Sequence, residues 1–427
     1  MDLTAGPFTR LPFLNGAYIA VDAVPGAFLV VDGPYCVFTK AEMQYCHNFR
    51  CRLIPPLGRC AVVHTAARTG MEEVTSLSAD RLTGVEAVFD QVCGYPEARV
   101  VFATSFDFHE LLNFPLADVA RKAGRRSGKL VCPIPSGSLG AGWLDGYSRA
   151  CEALARGIPL SPGKAGRDTV AVVGYLFDRD EPDHAGNLRE LRRLLAGLGL
   201  RLVSVWLSGV GTAALRKVET ASLILSLPYA RGAARALGRR LRVRVIEAGL
   251  PLGLTNTERF LTSLARALGR LALARRFLDR EVPAAADDTQ AHVSRIIRGR
   301  AAVLRLPDPH LRRALQGLCA DLGLKACVPA GGRPPRAGPP LFIGPRDTEP
   351  LPGIVIPFGY PNYEDHPAVE RPFLGFKGFR HLVDTMARRI LSFESMKARK
   401  ESMACLRPGE SSGVAALWQT ARPRIRR

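Results

Sequence analysis

The chain repeats one plan three times: a short apolar strand, a polar turn, an amphipathic helix and a second strand. Strands that alternate with helices in this way predict parallel sheets with helices packed on both faces. The predicted fold class is therefore α/β, with three Rossmann-like doubly wound domains. The apolar strand segments are 26–33, 98–105, 168–178, 201–208, 300–308 and 325–330.

The helices of the second and third units end in the same way. Residues 187–200 and 310–324 both carry leucines at helical spacing and close on Leu-Gly-Leu before a basic residue and the next strand. A glycine just past a helical stretch favours a left-handed C-terminal cap. The leucine stripes are a packing signal and do not indicate a site.

Length and composition divide the chain. At about 150 residues per domain, 427 residues predict two or three units. Loose, Pro-, Gly- or Ala-rich composition marks a linker at 160–168 and a second boundary at 279–290. The predicted domains are 1–165, 166–285 and 286–400, followed by a flexible tail at 401–427.

The net charge of +20 invites a nucleic-acid hypothesis, which the distribution of charge disfavours. The basic residues are mostly arginines spread along helical stretches such as 231–244, without interleaved aromatic residues. The chain has no run of 18 apolar residues, so no membrane span is predicted, and the N-terminus has no signal-peptide pattern. We therefore expect a cytoplasmic protein with neither a nucleic-acid nor a membrane partner.

Four of the ten cysteines lie in one stretch, GPYCVFTKAEMQYCHNFRCRLIPPLGRC: Cys36, Cys46, Cys51 and Cys60. In a reducing cytoplasm they do not form a disulfide framework. They are either small buried side chains or ligands of a metal or cluster. The chain has no dinucleotide fingerprint, P-loop, nucleophile elbow or HExxH motif. Redox chemistry would therefore come from a bound cofactor.

Six segments, in order, resemble the component 1 subunits of nitrogenase-type oxidoreductases. This family includes the molybdenum-iron protein subunits, their cofactor-assembly scaffold relatives and dark-operative protochlorophyllide reductase. The resemblance extends over roughly residues 10 to 395, and includes a Gly-Ala helix, a Gly-Pro-x-x-Cys turn and a Gly-Tyr helix. The segments are 15–36, 60–85, 98–120, 132–154, 246–269 and 353–386.

The resemblance implies a complex. Component 1 pairs two homologous subunits, holds an iron–sulphur cluster at their interface and receives electrons from an ATP-dependent iron–sulphur reductase protein. The implied cofactor is a [4Fe–4S] cluster shared with the partner subunit. The large molybdenum-iron cofactor is not expected, because its cysteine position falls near Ser226, and His366 in YEDHP is more consistent with a surface loop.

The resemblance also assigns ligands. Cys36 matches the cysteine of the Gly-Pro-x-x-Cys turn, whereas Pro12 and Ser105 stand where two further cysteines are expected. Ser105 can ligate iron as an alkoxide, and Cys60 begins a strand where it can contribute. Two weaker candidates lie in the same segment: Cys46 and Cys51. Alternatively, Cys36 and Cys60 pack in the core and no cluster binds.

Three side chains near this region are candidates for proton transfer. His64 and His109 are possible proton donors, because histidine titrates near neutral pH. Asp107 lies two residues after Ser105 and is a candidate donor or ligand. The structural alternatives are buried, hydrogen-bonded histidines and an acidic residue at a helix N-terminus.

Three functions remain open. The first is a reductase subunit that passes electrons to an unsaturated or sulphur-containing substrate. The second is a non-catalytic scaffold for metallocofactor assembly, and the third is a clusterless structural subunit. The sequence does not name the substrate, because a fold does not fix a chemistry.

Overall fold

The structure is a computed structural model. It describes residues 11–34, 37, 62–66, 79–137, 139–327, 338–345, 351–362 and 365–405. The predicted tail lies outside these residues apart from its first turn, which continues a long helix to Cys405.

Twelve strands of the described chain form three four-stranded sheets, and every strand pair is parallel. The orders are β2-β1-β3-β4, β6-β5-β7-β8 and β10-β9-β11-β12. The strands are β1 (Ala27–Asp32), β2 (Val62–His64), β3 (Val100–Ser105), β4 (Leu130–Pro133), β5 (Thr169–Val173), β6 (Arg201–Val205), β7 (Leu223–Ser226), β8 (Arg244–Glu247), β9 (Ala301–Leu304), β10 (Lys325–Cys327), β11 (Leu341–Gly344) and β12 (Ile354–Pro357).

Helices cover the sheets. They are α1 (Phe13–Asp22), α2 (Ala79–Gly94), α3 (Leu116–Ser127), α4 (Trp143–Gly157), α5 (Pro182–Ala196), α6 (Thr212–Leu215), α7 (Arg231–Leu241), α8 (Leu254–Leu268), α9 (Leu271–His292), α10 (Pro309–Asp321) and α11 (Gly375–Cys405). Tighter 3₁₀ turns occupy Asp107–Leu112, Arg216–Thr220 and Pro228–Ala230, and a π turn occupies Val293–Ile297. Within the described ranges, none of the helices combines the length and apolarity that a membrane span needs.

The predicted fold class is confirmed. All three sheets repeat one strand order, so each unit is a Rossmann-like βαβ assembly. The central strands β1 and β5 are buried along their whole length, as expected of parallel strands covered on both faces. The predicted left-handed caps are also present: Gly199 and Gly323 have φ values of 68° and 65°.

Residues 279–290 are predicted to be a loose linker between domains. That prediction is wrong, because they lie inside α9. The segment contains Pro283 and runs of alanine and aspartate, a composition that resembles a linker. Alanine is also the strongest helix former, and Ala285 and Thr289 bury one face of the helix. Tertiary packing therefore carries the helix through a proline that costs about 3 kcal/mol in isolation.

Two glycines allow α1 and α4 to cross in backbone contact. A Cβ on Gly16 would fall within 3.0 Å of the Trp143 carbonyl oxygen, and a Cβ on Gly146 within 3.0 Å of the Phe13 carbonyl oxygen. The Gly-Ala and Gly-Tyr helices of the family resemblance are thus the two sides of one close crossing. This crossing holds α1 in place and with it Tyr18, whose hydroxyl donates to the Val37 carbonyl at 3.1 Å.

Candidate functional site

The carboxyl ends of the first sheet bring three of the sequence-predicted residues to one edge: His64, Ser105 and His109. In the ladder, Asp32 of β1 pairs with Ser105 of β3, and His64 of β2 pairs with Val31. Ligands of open parallel sheets bind at this end of the strands. The chain turns directly after β1, where the Val37 amide donates to the Pro34 carbonyl at 3.1 Å.

A buried carboxylate that the sequence did not single out dominates this edge. Asp32 is 0% exposed and accepts hydrogen bonds from Thr65 Oγ1 at 2.7 Å and from Arg81 Nη2 at 2.8 and 3.0 Å. His109 Nδ1 lies 3.4 Å from Asp32 Oδ2 and 3.4 Å from Arg81 Nη2. The Arg81 guanidinium also stacks on the Phe114 ring, 4.4 Å from its centroid.

These partners keep Asp32 ionised. Burial alone would raise the pKa of the Asp32 carboxyl, but the hydrogen bonds of His109 and Thr65 and the charge of Arg81 lower it below its ordinary value. The number of donors around this buried carboxylate indicates that its main role is structural, as one half of a buried ion pair. Its sequence signal was an aspartate at the end of an apolar strand, in LVVDG.

The four predicted side chains of this region differ in their burial and in how much of them the structure describes. Ser105 is buried at the end of β3, and His109 is buried in the 3₁₀ turn beside Asp32. His64 is half-buried on β2, and burial lowers its pKa. Asp107 begins the 3₁₀ turn, but the placement of its side chain is outside what the structure describes. The roles of all four residues therefore stay predictions.

The cysteines predicted to bind a cluster lie outside the described residues: Cys36, Cys46, Cys51 and Cys60. Four cysteines whose side chains the structure describes are buried: Cys93, Cys132, Cys151 and Cys319. Burial raises the pKa of the Cys132 and Cys319 thiols to about 12. Such protonated core thiols are poor metal ligands. Among the described residues, no three histidine, cysteine or acidic side chains gather into a metal-binding group.

The described donors therefore do not fit an iron–sulphur cluster by themselves. The edge offers the Ser105 hydroxyl and the Asp32 carboxylate, and Asp32 is already engaged by Arg81 and Thr65. Iron–sulphur clusters are held by soft thiolates rather than by such hard oxygen donors. A cluster at this edge would need thiolates that the described residues do not supply.

The glycine-rich segment after β4 is a turn that leads into a helix. The Gly140 amide donates to the Gly137 carbonyl at 3.3 Å, and the Gly142 amide donates to Asp145 Oδ2 at 2.9 Å at the start of α4. The Gly137 amide also donates to Glu110 Oε1, which ties this turn to the 3₁₀ turn after β3. These bonds hold the segment as a tight turn before α4.

The positions considered for a larger metallocofactor hold no thiolate. Ser226 ends β7 and is fully buried. His366 lies in a loop, as predicted, but its side chain is only 12% exposed and its Nδ1 lies 3.0 Å from Glu181 Oε1. The loop that carries His366 packs on the second domain, so the local YEDHP pattern gave no sign of this burial.

The comparisons agree with this fold. The family model of the nitrogenase component 1 type oxidoreductases matches residues 14–336, more than half of the chain. No curated protein matches the chain.

Two solved structures are similar. One, titled nitrogenase Cp1 at pH 6.5, has a TM-score of 0.69 at 14% identity, with 92% of this chain and 94% of that chain covered. The other, titled nitrogenase Cp1 at pH 5, has a TM-score of 0.56 at 13% identity, with 80% and 66% covered. Identities this low support the shared fold alone. Because the family model spans most of the sequence, the chain belongs to the nitrogenase component 1 type oxidoreductase family.

Proposed function

We propose that the chain is one subunit of a component 1-type reductase in the cytoplasm. It pairs with a homologous subunit and accepts electrons from an ATP-dependent iron–sulphur reductase protein. The observation that carries the proposal is the edge of the first sheet, within the family match. There β1 and β3 end side by side at Asp32 and Ser105, directly before the GPYC turn.

The proposed cofactor is a [4Fe–4S] cluster shared with the partner subunit, which would supply one-electron storage. Its proposed ligands in this chain are Cys36 and Cys60, with Ser105 in place of a family cysteine and Cys46 and Cys51 as weaker candidates. Two contacts support Cys36. Its neighbours Pro34 and Val37 are joined by a hydrogen bond, and Val37 is held by Tyr18.

A clusterless structural subunit is the second candidate, and a specific observation favours it. The buried carboxylate at the described edge is already paired, because Asp32 is neutralised by Arg81 and bonded to Thr65. The described edge also contributes no thiolate. A subunit of this kind would position a cluster-bearing partner without carrying electrons.

Iron content distinguishes the two candidates. We expect anaerobically purified protein, alone or with a co-purifying partner, to contain iron and acid-labile sulphide, and Cys36→Ala to lose both. Thiolates are the ligands that hold such clusters, so removing the one that matches the family's turn cysteine should prevent assembly. The measurement is iron and sulphide per chain, by colorimetric assay or mass spectrometry.

Cys93→Ala is the matched control, because Cys93 is a buried cysteine on α2. Its iron content should equal that of the unmodified chain. Iron-free preparations with and without the partner would contradict the redox proposal and favour the structural subunit. Iron that persists in Cys36→Ala would show that Cys36 is not a ligand. Iron without substrate turnover would favour the scaffold.

A further inference from the structure

A cavity of about 440 Å³ lies between the second and third sheets, away from the edge of the first sheet. It is lined by residues that follow the carboxyl ends of four strands: Tyr175 after β5, Tyr229 after β7, Asp308 after β9 and Phe358 after β12. Cavities of this volume hold small organic ligands. The end of parallel strands is also where ligands bind in such folds.

The donors and acceptors of the hydrogen bonds around Tyr175, which lines this cavity, can be assigned. Asn187 Oδ1 accepts from the backbone amides of Phe373 and Leu374 at 2.8 and 3.0 Å. The amide group of Asn187 is therefore fixed, with its Nδ2 donating to the Tyr175 hydroxyl at 3.1 Å. Because the Tyr175 oxygen accepts that bond, its own proton is available for one other partner.

That partner is a histidine oriented by a carboxylate. The Tyr175 hydroxyl lies 2.5 Å from His184 Nδ1, and His184 Nε2 lies 2.5 Å from Asp178 Oδ1. When His184 is neutral, Tyr175 donates to Nδ1 and Nε2–H donates to Asp178. All three residues line the cavity. They form a tyrosine–histidine–aspartate triad in which each proton has an assigned position.

The other charged groups around His184 are engaged with one another. Arg179 Nη1 donates to both oxygens of Asp178 at 2.9 and 3.1 Å, and its Nη2 donates to Asp183. Asp183 also accepts the His184 amide at 2.8 Å. Arg179 Nη1 lies 3.4 Å from His184 Nε2, farther than Asp178 does. Tyr175 is therefore the group of this network that can turn to a ligand.

The cavity lining holds three further arginines and several apolar side chains. Arg371, Arg388 and Arg389 line the cavity and are exposed. Arg388 pairs with an aspartate of its own helix and Arg389 lies 3.8 Å from another. Arg371 has no ion-pair partner within the described ranges. Leucine and phenylalanine side chains, among them Leu311 and Phe373, also line the cavity.

We propose that this cavity binds a small organic carboxylate with an unsaturated acceptor, C=O or C=N. The carboxylate lies at Arg371, where a guanidinium is available. The acceptor atom lies at Tyr175, which donates its hydrogen bond and then its proton. His184 and Asp178 act as positioning residues that hold and replace that proton.

The proton path follows from the assigned hydrogen bonds. When His184 is protonated at Nδ1, that nitrogen becomes a donor to the Tyr175 oxygen. The hydroxyl then accepts from both Asn187 and His184, so its proton is free for a ligand in the cavity that Tyr175 lines. Reduction of a C=O or C=N group takes two electrons and two protons. Tyr175 gives one proton to the oxygen or nitrogen, its O–H bond breaking as the new bond forms, and His184 Nδ1–H returns a proton to Tyr175; the second proton, which goes to carbon, comes from solvent. This transfer rests on the proposed reductase, which supplies the electrons, whereas ligand binding does not.

Binding can be measured without electrons or partners. The probes are benzoylformate, which has both a carboxylate and a ketone, phenylacetate, which lacks the ketone, and acetophenone, which lacks the carboxylate. We expect calorimetry on the full chain to show that benzoylformate binds about tenfold more tightly than either analogue. Equal affinities, or no binding of benzoylformate, would overturn the proposal. The result is independent of iron content, so it does not depend on the proposed function.

Two variants assign the two ends of the ligand. Tyr175→Phe should remove the advantage of benzoylformate over phenylacetate, and Arg371→Gln should reduce its advantage over acetophenone. The controls are Tyr95→Phe and Arg259→Gln, both exposed and outside the cavity lining. A Tyr175→Phe protein that keeps the full preference for the ketone would rule out its role as donor.

Proton uptake tests the triad separately from its packing role. When Tyr175 turns its proton to the ligand, His184 Nδ1 should take up a proton to donate in its place. Benzoylformate binding should therefore take up as much as one proton, measured by calorimetry in buffers of different ionisation enthalpy. His184→Gln should abolish this uptake, because glutamine cannot be protonated. Binding without uptake in the unmodified chain from pH 6 to pH 9 would overturn the relay. Phenylacetate, which has no acceptor at Tyr175, should bind without uptake.

Discussion

Replacing Arg81 with methionine should lower the free energy of unfolding by about 3–5 kcal/mol. The change removes the cation from Asp32, which is 0% exposed, while Arg81 itself is only 6% exposed. A buried carboxylate then keeps Thr65 and His109 as its partners and loses its full countercharge. Urea unfolding at pH 7, with ligand-free protein, measures the difference.

The same pair predicts a dependence on pH. The folded pKa of Asp32 lies below its ordinary value, so ionised Asp32 stabilises the fold above the unfolded pKa of about 3.9. That contribution is lost as the pH falls through the lower, folded pKa. The difference between the unmodified chain and Arg81→Met should therefore be constant near neutrality and shrink below about pH 4.

Arg126→Met is the control for this prediction. Arg126 bonds Asp90 at 2.7 Å, but both side chains are about half exposed, so water and salt screen the pair. Its removal should change the urea midpoint little. Equal losses in Arg81→Met and Arg126→Met would mean that burial does not strengthen the Asp32 pair.

The fold could be predicted further than the site because its signals are local. Apolar runs such as AFLVVD and the glycines of the Leu-Gly-Leu segments determine strands and caps within a few neighbours. α9 was missed for the opposite reason. Its middle resembles a linker locally, and the helix exists because residues such as Phe277 and Ala285 pack against other elements.

The polar clusters could not be predicted because their members are far apart in sequence. Arg81 is 49 residues from Asp32, and Phe373, which fixes the Asn187 amide, is 186 residues from it. No periodicity links such positions. The nearby histidine at position 109 was found as a candidate donor, but the carboxylate and guanidinium that surround it were not.

The second large effect on stability is expected where α1 and α4 cross. Gly16→Ala should lower the free energy of unfolding by about 3 kcal/mol, at the upper end for overpacking, because the new methyl meets backbone and not a flexible side chain. The Trp143 carbonyl can yield only if α4 moves away from α1. Gly146→Ala should act similarly, since its methyl would meet the Phe13 carbonyl.

Gly84→Ala adds the same methyl group where nothing lies within 4 Å. Gly84 is in the interior of α2, so alanine there should stabilise the chain by about 1 kcal/mol through helix propensity. Thermal and urea unfolding of the three variants measure the opposite signs. If Gly16→Ala and Gly84→Ala shift stability in the same direction, the close crossing is not a constraint on the fold. If they diverge, α1 is held by contact with α4, and with it Tyr18 and the anchor that it provides at Val37, beside Cys36.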